Sequence, residues 1–197
     1  MIVYEVGKGL YINLTNRCTN SCDFCVRSTK DGYYGDLWLD SEPSADDVIE
    51  ELKRRDLSTY SELVFCGYGE PTIRIDEIVA VSKYVRSVSD IHTRINTNGQ
   101  ANLIHGCDVT PLLEGLIDEV SVSLNTANAA DYQNICHSDF GEDAYAGLIE
   151  FASLCSLHVK KVVLSVVDTT IPDEDIEKCR EIAKCAGVEL RVREFIS

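Results

Sequence analysis

Leu14-Thr15-Asn16-Arg17-Cys18-Thr19-Asn20-Ser21-Cys22-Asp23-Phe24-Cys25-Val26-Arg27 carries three cysteines spaced Cys-x3-Cys-x2-Cys. The stretch directly follows a strand-like run, Leu10 to Leu14. Three thiolates on one tight loop can each hold one iron of a four-iron cubane. The fourth iron then stays open to a substrate or cofactor, as an open position does at a catalytic metal. Two plainer readings stand beside this one. A structural zinc site wants four ligands, commonly as two paired knuckles, but the next Cys or His after Cys25 is Cys66. Buried core cysteines are the other reading, yet Arg17, Thr19, Asn20, Ser21 and Asp23 around the thiols are a loop composition.

Outward from this loop, strand patterns alternate with helix patterns. Residues 2 to 6 suit a short edge strand or ribbon. Leu10 to Leu14 is strand one. A long loop over 28–42 follows, where Tyr33, Tyr34 and Trp38 either line a substrate mouth or shield the site from water; long loops of this kind are often functional. Ser44 is placed to cap a helix, with Asp46 and Asp47 in its first turn. Leu63 to Cys66 is strand two, Ile75 to Val85 has helical spacing, and His92 to Asn96 is strand three. A short helix is expected near Pro111 to Gly115. Glu119 to Leu124 is strand four, and the helical crossover after it starts at Asn125 and resumes at Ala144. Val159 to Val167 is an apolar run suited to a strand buried on both faces. Pro172 opens the last helix, and Val188 to Ile196 is strand six. Such alternation predicts right-handed crossovers and a parallel α/β sheet, with six units rather than the eight of a closed barrel.

Gly67-Tyr68-Gly69-Glu70-Pro71 closes strand two. Its glycines permit close backbone approach, and Glu70 brings a carboxylate to the strand end. As a bare motif it also suits an ordinary strand–turn–helix junction. Asn96-Thr97-Asn98-Gly99 ends strand three, while Ser121, Ser123 and Asn125 end strand four; such groups bind carboxylates and ribose hydroxyls, although Asn-Gly is equally a turn signal.

The Cys-x3-Cys-x2-Cys loop, with Phe24 just before its last cysteine and the Gly67–Pro71 stretch one strand later, resembles the radical SAM enzymes. Tyr11 to Asn20 and Gly67 to Thr72 look most like the small radical SAM proteins encoded beside, or fused to, TatD-type nucleases. The resemblance covers nearly the whole chain, with one departure: Tyr68 stands where a second glycine is usual. It implies an open six-stranded (β/α)6 partial TIM barrel, one domain over 1–197. It implies a [4Fe-4S] cluster on Cys18, Cys22 and Cys25, and S-adenosylmethionine held by Phe24, Gly67, Gly69, Glu70, Asn96, Ser123, Asn125 and Arg193. In that family a reduced cluster cleaves the cofactor to a 5′-deoxyadenosyl radical, which takes a hydrogen atom from a substrate; the association with nucleases implies a nucleotide or nucleoside here. The implied partners are a one-electron donor of flavodoxin or ferredoxin type and a TatD-family nuclease. The alternatives are an activating enzyme that places a glycyl radical in a protein partner, and a non-catalytic metal-binding module.

Composition sets the outer limits. The chain has 197 residues, 45% hydrophobic and 26% charged, an ordinary globular balance. Its 18 basic and 33 acidic residues give a net charge of -15, which disfavours generic binding to a nucleic-acid backbone. Nine cysteines and an N-terminus without a secretory pattern point to a reducing cytoplasm, and no apolar run reaches membrane-spanning length. The six further cysteines read as structural thiols, Cys66 standing next to the Gly67 turn, and His137, after Cys136 in a polar stretch, is a candidate substrate-site group.

Overall fold

The computed structural model describes residues 1–28, 36–168 and 171–193. Its frame is one seven-stranded sheet in simple sequence order: β1 (Val3–Val6), β2 (Gly9–Ile12), β3 (Glu62–Phe65), β4 (His92–Thr97), β5 (Glu119–Ser123), β6 (Lys161–Val167) and β7 (Glu189–Arg193). β1 pairs antiparallel with β2, and β2 to β7 are all parallel. Among the described residues β7 shares no ladder with β1, so the sheet curls without closing. This is the open, six-stranded parallel partial barrel expected, with the residue 2–6 ribbon added at one edge.

Among the described residues six helices cross between strands: α1 (Ala45–Lys53), α2 (Ile75–Val88), α3 (Ala101–His105), α4 (Ala129–Cys136), α5 (Asp143–Cys155) and α6 (Asp173–Cys185). Ser44 caps α1 with a full capping box: its hydroxyl accepts from Asp47 N–H, while the Asp47 carboxylate accepts from Ser44 N–H. The crossover after β5 begins later than its pattern suggests. Asn125 sits at φ 63°, in the left-handed region, so the chain turns there and α4 starts only at Ala129 under an Asn128 cap. α3 carries too short an apolar pattern to be foreseen. The helix expected near Pro111 is a 3-10 turn, Thr110–Leu113.

Strand alternation separates two faces. Leu10, Ile12, Leu63, Phe65, Ile95, Val120, Val122, Leu164 and Val166 point outward and pack with Val48, Leu52, Ile78, Val81, Leu148 and Phe151 of the helices. The opposite face lines the concave lumen and is mostly polar: Tyr11, Glu62, Arg94, Asn96, Glu119, Ser121, Ser165, Arg191 and Arg193. Closed strand–helix barrels fill this space with branched apolar side chains; here ion pairs occupy its floor. Arg94 forms a two-pronged pair with Glu62 at 2.9 and 3.0 Å, and Arg191 reaches Glu119 at 2.7 Å. Tyr33 and Tyr34 lie outside the described residues. Trp38 is 51% exposed and stands edge-on to Tyr68, ring centroids 5.2 Å apart.

Candidate active site

The cysteine loop leaves the C-terminal end of β2, and its base is tied down by charge. Arg17 pairs with Glu42 through Nε (2.7 Å) and Nη2 (2.9 Å), Arg74 reaches the same carboxylate at 2.9 Å, and Thr15 donates its hydroxyl to it. Those hydrogen bonds, led by Arg17, hold the Glu42 carboxyl below the usual glutamate range. Asn16 adds a reciprocal pair with Leu39, donating at 2.8 Å and accepting at 3.1 Å.

The tip of the loop is fastened on the other side, to the end of α4. Ser21 N–H donates to Cys136 C=O (2.9 Å), Asp23 N–H to Ile135 C=O (3.0 Å) and Asp139 N–H to Thr19 C=O (2.8 Å). Beneath these lies a buried polar net. Asn20 Nδ2 donates to the Tyr132 hydroxyl (2.9 Å), Gln100 Nε2 to Asn20 Oδ1 (2.8 Å), and the Thr19 and Ser138 hydroxyls to Gln100 Oε1 (2.7 and 3.1 Å). His137, expected near a substrate, instead pairs with Asp23 at 2.8 Å on the outer side of the loop.

The three cysteines are free and half-buried. Burial, with the Glu70 charge adding to it, pushes the Cys18 thiol up to about 12, so ligating iron there requires release of a proton. Asn20 N–H points at Cys18 Sγ (3.4 Å), with Asn98 Nδ2 at 4.0 Å; such donors to sulfur tune iron–sulfur clusters. Among the described residues no three His, Cys, Asp or Glu side chains converge on a single ion-sized point. A tetrahedral zinc would need such convergence, whereas a cubane takes its thiolates at separate irons. The donor set therefore fits the cluster better than zinc.

The glycine stretch is shaped by the chain itself. A Cβ on Gly69 would collide with the carbonyl oxygens of Thr15 and Arg17, and one on Gly67 with the Asn13 side chain. Asn13 donates to Leu37 C=O (2.6 Å) and Met1 C=O (3.3 Å), and its own buried oxygen has no hydrogen-bond partner. These glycines let the β3 loop nest under the cysteine loop, where Glu70 N–H donates to Arg17 C=O (2.8 Å). Glu70 is buried and its oxygens are in use. Oε1 accepts from Thr72 N–H (3.0 Å), Thr72 Oγ1 (2.6 Å) and Thr97 Oγ1 (2.7 Å), and Oε2 from Asn98 N–H (2.6 Å). Burial raises its pKa, and these bonds offset part of that shift.

The remaining expected residues fall in different places. Asn96 faces the lumen and accepts from Arg94 Nη1 at 2.9 Å. Ser123 is half-buried, in register with Ser165. Asn125 turns away toward α4, its amide 3.5 Å from Cys136 Sγ. Phe24 is 38% exposed at the loop tip. Arg193 ends β7 with Arg191 and Arg94 as neighbouring charges, and makes no ion pair among the described residues. The structure thus gathers the thiols, Gly67, Gly69, Glu70, Asn96 and Ser123 at the C-terminal ends of β2 to β5, with Arg193 at the far edge. Gln100, Tyr132 and Ser138 escaped sequence reading, since nothing local in the chain marks their partners.

An open parallel α/β barrel with its thiol loop at the C-terminal ends of the strands belongs to the class of enzymes that assemble their chemistry on that face. The chain is a member of the Radical SAM superfamily, whose model matches residues 12–185. It is an enzyme, and its cofactors are those of the superfamily, a [4Fe-4S] cluster and S-adenosylmethionine. It is 30% identical over 187 residues to a probable GTP 3',8-cyclase of Methanothermobacter marburgensis, covering 95% of this chain and 57% of that protein. It is 27% identical to the GTP 3',8-cyclase of Corynebacterium glutamicum, covering 95% of this chain and 48% of the relative. The chain thus spans about half the length of these curated relatives. Its fold matches a radical SAM methyltransferase from Sphaerobacter thermophilus (TM-score 0.63, 13% identity, 99% of this chain and 69% of that one). It also matches HydG, a maturase of the [FeFe]-hydrogenase (TM-score 0.69, 15% identity, 94% and 42%). Among the described residues no helix is long and apolar enough to cross a membrane.

Proposed function

We propose that this enzyme reductively cleaves S-adenosylmethionine and uses the 5′-deoxyadenosyl radical to take a hydrogen atom from a nucleotide-type substrate held in the barrel lumen. Cys18, Cys22 and Cys25 would hold the cluster, and the backbone of Gly67 and Gly69 with Asn96 and Ser123 would line the cofactor's side of the lumen. The cofactor supplies the hard chemistry; the chain orients it and keeps water away. The observation that carries the substrate class is the lumen's charge. In a chain of net charge -15, the lumen face pairs Arg94 with Glu62 and both Lys161 and Arg191 with Glu119, while Arg193, at the C-terminal end of β7, makes no ion pair among the described residues. The mouth end of that face therefore presents Arg193 as a cation without a carboxylate partner among the described residues, suited to an anion. Similarity to enzymes named for GTP supports a nucleotide. The electron source is a donor of flavodoxin or ferredoxin type, and a TatD-family nuclease is the protein partner that the sequence resemblance favours.

The test is anaerobic. Reconstituted protein is reduced with dithionite and given S-adenosylmethionine with and without GTP, and 5′-deoxyadenosine is quantified. Reductant-dependent product that GTP stimulates is expected and would be lost in Cys22→Ala together with the brown chromophore. A loaded, reducible cluster that gives no product under either condition, and whose EPR signal ignores S-adenosylmethionine, would sink the proposal.

A further inference from the structure

Cys136 is a buried thiol that the proposed chemistry does not use, and it lies against the cysteine loop. Its side chain is fully buried at the end of α4, where Asn125 Nδ2 donates to Sγ at 3.5 Å. The chain flanking Cys22 is zipped to it by Ser21 N–H to Cys136 C=O (2.9 Å) and Asp23 N–H to Ile135 C=O (3.0 Å). These two flanking backbone bonds bring the Cys22 and Cys136 side chains in as neighbours, and each thiol is felt by the other. The polar net through Asn20, Gln100 and Tyr132 fixes the two segments in this register. Adjacent backbones with neighbouring thiols are the arrangement a disulfide requires.

We propose that Cys22 and Cys136 are a redox modification site of the cluster-free protein, closing to an intramolecular disulfide at the expense of a low-molecular-weight disulfide such as oxidised glutathione. Cys22 is half-exposed and Cys136 buried, which fixes the order of events. The Cys22 thiolate attacks one glutathione sulfur, forming a mixed disulfide and releasing one glutathione thiol. The Cys136 sulfur then attacks Cys22 Sγ and expels the second glutathione. Each protein thiol gives up its proton, two electrons pass to the oxidant, and two glutathione thiols result. With Cys22 committed to iron the first step has no nucleophile, so the pair responds to whether the cluster is in place. Closing it would remove one cluster ligand and pin the loop to α4 until a thiol reopens it. This inference rests on the register of the loop against α4 and not on the substrate or on cofactor cleavage, so the two proposals fail separately.

The experiment uses the full chain, stripped of iron under reductant, desalted and exposed to oxidised glutathione. Free thiols are alkylated, and the protein is denatured, digested without reduction and mapped by mass spectrometry. The expected result is a Cys22–Cys136 cross-link, loss of two alkylatable thiols, and iron uptake blocked until dithiothreitol is added. The cluster-loaded chain should retain both thiols. Cys136→Ser should stop at a glutathione adduct on Cys22. The inference is overturned if the wild-type map places the cross-link within Cys18, Cys22 and Cys25, or if Cys136 stays alkylatable after oxidation. The wild-type map decides this whether or not the serine variant folds.

Discussion

Glu70 offers the sharpest division between two physical roles. The family resemblance assigns Glu70 to S-adenosylmethionine, and on that reading Glu70→Ala should leave a folded protein with weakened S-adenosylmethionine binding. In the structure four donors already occupy its two oxygens. Alanine would orphan two backbone N–H groups and two hydroxyls in a buried site. Each unsatisfied buried donor costs about 1–3 kcal/mol, and because the hydroxyls can turn to other acceptors, a net loss of about 4 kcal/mol is expected. Glutamine keeps the shape but must set an NH2 group against at least one backbone N–H, leaving that buried donor unsatisfied at about 1–3 kcal/mol. With a urea slope of about 2 kcal/mol per molar for a small protein, the midpoint should fall by about 1 M for Glu70→Gln and about 2 M for Glu70→Ala. The assay is urea unfolding of cluster-free protein by circular dichroism. The pH dependence has a definite sign. Burial raises this carboxyl above the ordinary glutamate value of 4.5, so its contribution is full below that pH and declines as pH rises through the folded-state value. The gap between wild type and Glu70→Gln should accordingly narrow toward neutral pH. Unchanged urea midpoints in both variants, with S-adenosylmethionine affinity lowered, would refute the reasoning and restore Glu70 to the cofactor.

Three further outcomes follow from the same contacts. Gly69→Ala drives a methyl group into the Thr15 and Arg17 carbonyls, so an overpacking cost of about 1–3 kcal/mol and reduced iron loading are expected, read by unfolding midpoint and iron assay. Asp118 is opposed by burial but held at about 2 by Thr93 N–H, Arg86 and Lys160. Against an ordinary value of 3.8 this stabilises by about 2 kcal/mol, present above pH 4 and lost as pH falls toward 2; the unfolding curves of wild type and Asp118→Asn should converge there. Tyr132→Phe strips the acceptor from Asn20 and Gln100 at a cost of about 2 kcal/mol. It should speed iron loss to a chelator in a timed absorbance assay, and an unchanged rate would remove Tyr132 from the support of the loop.

What could be read in the sequence was what is local. The cysteine loop is contiguous, and strand-helix alternation is a matter of period, so the partial barrel and its thiols were legible before any coordinates. The glycines were legible as sites of close approach, but not that Asn13, Thr15 and Arg17 of the neighbouring loop are groups that approach them. Asn125 has the composition of a strand end and helix start, and only its left-handed φ delays α4. The net through Asn20, Gln100 and Tyr132 joins residues up to 112 apart in the chain, a separation that no periodicity encodes. Charge carries the same lesson furthest. A net charge of -15 argues against an anionic ligand only if charge is spread evenly. The sheet breaks that assumption, because Glu62 and Glu119 pair Arg94, Lys161 and Arg191 within the lumen and leave Arg193 at its mouth without an ion pair among the described residues. The sign of the whole chain therefore sets its solubility and its encounters with large polyanions, and the sign of the lumen sets what a small substrate meets on entering it.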